Sequence, residues 1–98
     1  MKKNIFNKYV AEVSKQFSID PISIFTKDKR RDIADARHLL YYLCSVRPMK
    51  TVYIQEYMSD NGYDINHSSI IHGIKVVKGK LKKDQDYISA VKNIKNEI

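Results

Sequence analysis

Residues 51–83 read TVYIQEYMSDNGYDINHSSIIHGIKVVKGKLKK. Val52, Ile54, Tyr57 and Met58 return at helical spacing, and Thr51 can cap the helix that holds them. Asn61-Gly62 is a strong turn signal after it, because glycine takes the left-handed backbone that commonly ends a helix. Ile70, Ile71, Ile74, Val77 and Leu81 then resume the helical period, with Asn66 or Ser68 available as the cap. Lys78, Lys80, Lys82 and Lys83 crowd the far end, where cations favour the helix dipole. Two modest helices joined by a tight, Gly-containing turn form the scaffold of a helix-turn-helix, whose second helix is the one that enters a DNA major groove.

Working outward, the preceding segment keeps the same period. Ile33, Ala36, Leu40, Leu43 and Cys44 share one face of a long helix, which Pro48 stops. Ahead of it, Lys27 to Asp32 holds four cations and nothing to bury, so it reads as a solvated loop leading into that helix. Ile5, Phe6, Tyr9, Val10, Val13 and Phe17 make the apolar face of a first helix. Ser18, Asp20 and Pro21 break it, with Asp20 as N-cap and Pro21 opening a short helical turn that carries Ile22, Ile24 and Phe25. Beyond residue 83, Asp84 or Asp86 can start a last helix, about 86–97, with Tyr87, Ile88, Val91 and Ile94 inward. No strand-like alternation, internal repeat or low-complexity tract interrupts the pattern. The sequence predicts an all-α, single-domain chain over residues 1–98, a compact bundle of about five to six helices with the helix-turn-helix at about 51–83.

Apolar residues make up 43% of the 98, enough for a core without metal or disulfide staples. Eighteen Lys and Arg against eleven Asp and Glu leave a formal charge of +7, which favours a polyanionic partner. Nucleic acid is the first candidate, and a merely Lys-rich protein is the plain alternative. Cys44 is the only cysteine, so neither an intrachain disulfide nor a Cys-based zinc site is possible, which fits a reducing, intracellular setting. With DNA as partner, a cytoplasmic, nucleoid-associated place is expected. The basic start is followed by a segment interrupted by Lys8, Glu12 and Lys15, and neither a signal peptide nor a membrane span is expected.

In a helix-turn-helix the first residues of the second helix reach base edges, which aims Asn66, His67, Ser68 and Ser69 at DNA. Asn can pair bidentately with adenine, and Ser hydroxyls can meet a base or a phosphate. The free N–H groups of the helix start are a natural phosphate seat. The same Asn-His-Ser-Ser run is also an ordinary capping sequence. His38, His67 and His72 are the only histidines, and without cysteine partners or His-x-x-x-His spacing no metal site or cofactor is expected. His67 is read as a DNA contact, and His72 as packed within the bundle or bonded to a backbone group, with a place in the candidate DNA-binding set as its other reading. Tyr41, Tyr42, Tyr53 and Tyr57 lie within helices and read as partly buried core, not as a stacking platform for single strands. No nucleophile with its base, carboxylate pair or phosphate-cradling loop has a recognisable spacing, so no enzyme is expected.

Two blocks resemble a known family. One is Lys27-Asp28-Lys29-Arg30-Arg31-Asp32-Ile33-Ala34-Asp35-Ala36-Arg37-His38, and the other is Asn66-His67-Ser68-Ser69-Ile70-Ile71-His72. The first is similar to a basic loop running into a long helix, with Arg two residues before a Val or Ile, then Ala, and Arg-Gln or Arg-His three residues after that Ala. The second is similar to the signature Asp-His-Thr-Thr-Val-Leu-His. Together, from about Val10 to Val77, they resemble the C-terminal DNA-binding domain of the bacterial replication initiator DnaA, a Trp-repressor-like helical domain. The resemblance implies double-stranded DNA binding in replication or transcription regulation, with Lys29, Arg30 and Arg31 at the minor groove or backbone. It implies Arg37 and His38 near backbone or bases, Asn66 to Ser69 in the major groove, and Lys75 on a phosphate.

The chain departs from the signature at four points: Ile65 stands for a basic residue, Asn66 for an acidic one, Ser68 and Ser69 for Thr, and the turn around Asp60 to Tyr63 is about three residues longer. No Gly-x-x-x-x-Gly-Lys-Ser/Thr occurs, so no ATP site is expected. A free-standing, monomeric domain is expected, as a phage or mobile-element regulator, a competitor for initiator sites or a replication accessory protein. The rival reading is a helical interaction module that binds an acidic protein or a partner in the replication machinery.

Overall fold

A computed structural model describes residues 2–97, whose chain forms five α-helices: α1 (Lys2–Phe17), α2 (Arg31–Val46), α3 (Thr51–Asp60), α4 (His67–Leu81) and α5 (Gln85–Glu97). A 3-10 turn, Pro21–Phe25, lies between α1 and α2, and no strand occurs among the described residues. The predicted all-helical bundle is what the chain adopts.

The helix ends follow from local chemistry. Helix α1 closes with the Ser18 N–H on the Lys15 carbonyl and the Ile19 N–H on the Ser14 carbonyl, with Ser18 left-handed at φ 53°. Asp20 accepts from the Ile22 N–H at 3.1 Å and caps the 3-10 turn as its sequence suggested. Helix α3 ends in the same motif: the Gly62 N–H meets the Ser59 carbonyl and the Tyr63 N–H the Met58 carbonyl, with Gly62 at φ 87°. Asn66 caps α4 by accepting from the Ser69 N–H at 2.8 Å, and Asp84 accepts from the Tyr87 N–H at 3.2 Å at the start of α5.

Two sequence expectations shift. Helix α2 begins at Arg31, so Arg31 and Asp32 form its first turn instead of ending the solvated loop. The reason is local: Asp28 accepts from the Arg30 N–H at 2.9 Å and turns the chain, and the Arg30 carbonyl then takes the first helical bond, from the Ala34 N–H. Thr51 is not the cap of α3. Lys50 holds that position with no side-chain cap, and Thr51 is the first helical residue.

Helix α2 is the axis of the core. Ile33, Ala36, Leu40, Leu43 and Cys44 are fully buried on it. Phe6 and Val13 come from α1, Ile54 and Met58 from α3, Ile70 and Val77 from α4, and Val91 and Ile94 from α5. Burial pushes the Cys44 thiol up to about 12, so it is a core residue without nucleophilic character. Tyr41 is buried, and Tyr42, Tyr53 and Tyr57 pack partly buried against the core, as their helical spacing suggested.

The crossing of α2 and α4 positions the candidate site. A Cβ built on Gly73 would stand 2.9 Å from Cδ2 of both His38 and Tyr41 and 3.3 Å from the His38 Cα. Only a glycine lets the two backbones approach this closely.

Candidate nucleic-acid interface

The N-terminus of α4 is held by its neighbours before any ligand is considered. The Gln55 amide of α3 donates to the Ile65 carbonyl at 2.7 Å, and the Ser59 hydroxyl donates to Asp64 at 2.7 Å. Ile65 itself packs partly buried against the core, so the residue that replaces a basic one in the signature is used for packing. The Asn66 carbonyl oxygen is committed to the cap. Its position therefore has a structural explanation, and the bidentate adenine pair anticipated for it competes with that bond.

His67, Ser68 and Ser69 form the exposed first turn of α4, and His72 and Lys75 are exposed one and two turns on, so His72 stands at the surface and is not packed within the bundle as expected. Across from them, Ala34, Arg37, His38 and Tyr41 of α2 complete an open groove of about 390 Å³ with Ser68 and His72. A second groove of about 360 Å³ adjoins it through Ala34, Arg37 and Tyr63 and opens on Lys27 and Lys29. The two sequence blocks, separated by the 27 residues 39–65, thus meet along one furrow.

The cations of the first block divide by role. Lys29, Arg30 and Arg31 are exposed. Arg30 is tied back to Asp28, with Nε 3.1 Å from Oδ2, and the Arg30 N–H bond to that carboxylate, with the guanidinium's charge, holds it below the ordinary carboxylate range. Arg37 lies elsewhere than at the exposed face expected for it: it is 7% exposed. Its Nε donates to the Ile24 carbonyl at 2.7 Å, a terminal nitrogen donates to the Thr26 carbonyl, and the guanidinium sits 4.6 Å from the Tyr63 ring centre. It staples the 3-10 turn and the loop before α4 onto α2 and forms the floor between the grooves. Helical spacing on an otherwise apolar stripe was the sequence signal for this role, since Arg37 follows the buried Ala36 and lies one turn after Ile33.

His38 and His72 meet edge to face at 5.8 Å between ring centroids. The His38 Nδ1 is buried without a partner, and burial, then the charge of His72, push the His38 imidazole below its ordinary value. His38 therefore supports the groove in its neutral form. Tyr63 and Ile65 also line the furrow, which sequence reasoning missed because both lie in the connecting turn, where no periodicity marks a facing direction. Among the described residues no group of three His, Cys, Asp or Glu could hold a metal ion, and no helix is long and apolar enough to cross a membrane.

Comparison with known proteins gives one consistent relationship. No family model matches the chain. It is 30% identical to the chromosomal replication initiator protein DnaA of Nautilia profundicola over 87 residues, which is 88% of this chain and 19% of that protein. The DnaA of Bacteroides thetaiotaomicron is 27% identical over 85 residues, 86% of this chain and 17% of the relative. The DnaA of Wolinella succinogenes is 25% identical over 99% of this chain and 22% of its own length. The chain spans about a fifth of the curated relatives it matches. Over most of its length, this helical chain therefore resembles one segment of the chromosomal replication initiator DnaA.

Proposed function

We propose that the chain binds double-stranded DNA sequence-specifically, with α4 in the major groove and the basic segment Lys27 to Arg31, the loop and the first residue of α2, at the minor groove or backbone. The observation that carries this reading is the shared furrow: exposed Ser68 and His72 line one groove, Lys27 and Lys29 the adjoining one, and Ala34, Arg37 and Tyr63 join them. A duplex lying along such a furrow would meet hydroxyls and a helix N-terminus at base edges and cations at the flanking phosphates. The net charge of +7 supports a polyanion, and the DnaA likeness supports a role in replication or its regulation. The chain acts as a monomer in this reading, because recognition helix and basic segment together span one continuous site. Ile65 and the longer turn are the features that would favour the rival, an acidic-protein partner, because they lie at the groove-facing end of α4. Ile65 packs partly buried against the core while it lines the furrow, and the turn is closed by its own backbone bonds; the exposed first turn of α4, His67 to Ser69, is what favours DNA over an acidic protein.

The test is selection of bound sequences from a random duplex pool, followed by anisotropy titrations of the best sequence and a scramble across a salt series. The expected result is a preferred sequence bound roughly a thousandfold more tightly than the scramble. Ser68→Ala or Ser69→Ala then costs about 1–3 kcal/mol on the preferred site alone, whereas Lys75→Ala weakens all duplexes alike. Weak binding that is equal for all duplexes and fades with salt would overturn the reading.

A further inference from the structure

We infer that Ile71 reads the C5-methyl group of a pyrimidine in the major groove, making it a specificity-determining residue of α4. The inference rests on the DNA-binding reading above and deepens it. Ile71 is 46% exposed, although it follows the fully buried Ile70 and the other isoleucine of α4, Ile74, packs against the core. Sequence periodicity assigned it to the core, and the structure turns it outward.

Its neighbours on the helix surface define what it faces. His67 lies one turn before it and Lys75 one turn after, with Ser68 and Lys78 beside the same stripe, and all four are exposed. Ile71 is thus an apolar side chain set between polar and cationic ones. From His67 to Lys75 the helix rises about 12 Å, comparable to the width of a B-DNA major groove. If the helix start is aimed at bases and Lys75 at a phosphate, the position between them lies over base edges. An isoleucine offers nothing to a phosphate or to a hydrogen-bonding base edge. The apolar group a major groove presents is the methyl of thymine, or of 5-methylcytosine, and an exposed aliphatic side chain is its complement. The sequence departs from its family where Ser68 and Ser69 lack the methyl of Thr, and Ile71 supplies an apolar contact one turn further along.

The experiment starts from the preferred duplex of the selection above and replaces each thymine singly by uracil, which removes the methyl and nothing else. Wild-type protein and Ile71→Ala are titrated against the set, with circular dichroism to compare helix content. The side chain is exposed and alanine favours a helix, so the variant is expected to fold. One thymine is expected whose loss of methyl weakens wild-type binding by about fourfold, as one buried methyl is worth, and leaves Ile71→Ala unchanged. Ile71→Leu should restore part of the difference. Equal uracil effects in both proteins overturn the inference while leaving sequence-specific binding standing. Failure of the wild type to prefer any duplex overturns the DNA reading and this inference together.

Discussion

The guanidinium of Arg37 lies 4.6 Å from the centre of the Tyr63 ring while its nitrogens donate to the Ile24 and Thr26 carbonyls. One side chain of α2 therefore holds the chain segment that leads into the basic loop and the turn that leads into α4, and so fixes the two parts of the candidate interface relative to each other. Arg37→Ala leaves two backbone carbonyls without their charged donor, and we expect a loss of about 2–4 kcal/mol in urea unfolding. Arg37→Lys should recover less than half of it, because an ammonium cannot bond both carbonyls and cover the ring at once. A loss under about 0.5 kcal/mol for the alanine variant would show that the staple carries no stability.

Gly73 makes a sharper steric prediction. Gly73→Ala gains about 1 kcal/mol of helix propensity, yet its methyl meets His38 and Tyr41 at 2.9 Å, with the His38 Cα behind. We expect net destabilisation of about 1–3 kcal/mol, read as a lower thermal midpoint. The control Gly79→Ala has nothing within 4 Å of its added Cβ and should stabilise by up to about 1 kcal/mol.

Ser18 ends α1 in a left-handed conformation at φ 53°. A Cβ is disfavoured there, so Ser18→Gly should stabilise by about 0.5–1 kcal/mol after the added freedom of the unfolded chain is subtracted. A lower denaturation midpoint for Ser18→Gly would contradict this.

Asn66 separates capping from base reading. Asn66→Ala removes the acceptor for the Ser69 N–H and should cost about 1 kcal/mol of stability, whereas Asn66→Ser keeps a capping oxygen and should cost little. If Asn66 serves only as cap, Asn66→Ser binds the preferred duplex as the wild type does. A tenfold or greater loss specific to that duplex would assign its amide to a base.

The His38–His72 contact gives the pH dependence. Burial and then the His72 charge lower the His38 value, Lys80 and Arg37 act in the same direction, and Asp35 opposes them. Because the folded value lies below the unfolded one, the unfolded chain takes up the proton first as pH falls. Stability should decline as pH drops below about 6.5 and level off beneath the folded value. His38→Phe, a ring that does not titrate, should flatten that part of a pH series of urea midpoints. An unchanged slope would exclude His38 as its source.

Helix type and order were readable in residues 51–83 and their flanks because period and caps are local properties. A residue's own spacing says whether its stripe is apolar, and Asp20, Gly62 and Asn66 act on neighbours within three residues or so. The +7 charge and the two blocks likewise pointed to a polyanion before any fold was known. Side-chain allegiance was not local. Arg37 looked like one more cation, and only the folded chain brings the Ile24 and Thr26 carbonyls and the Tyr63 ring round it and buries its charge. Ile71 looked like one more core residue, but in the folded chain Ile70 is buried, Gly73 meets α2, and Ile71 is turned to solvent. Periodicity defines a stripe to within about one residue, but which edge of it faces solvent depends on the partner helix and on where glycine lets that partner come close.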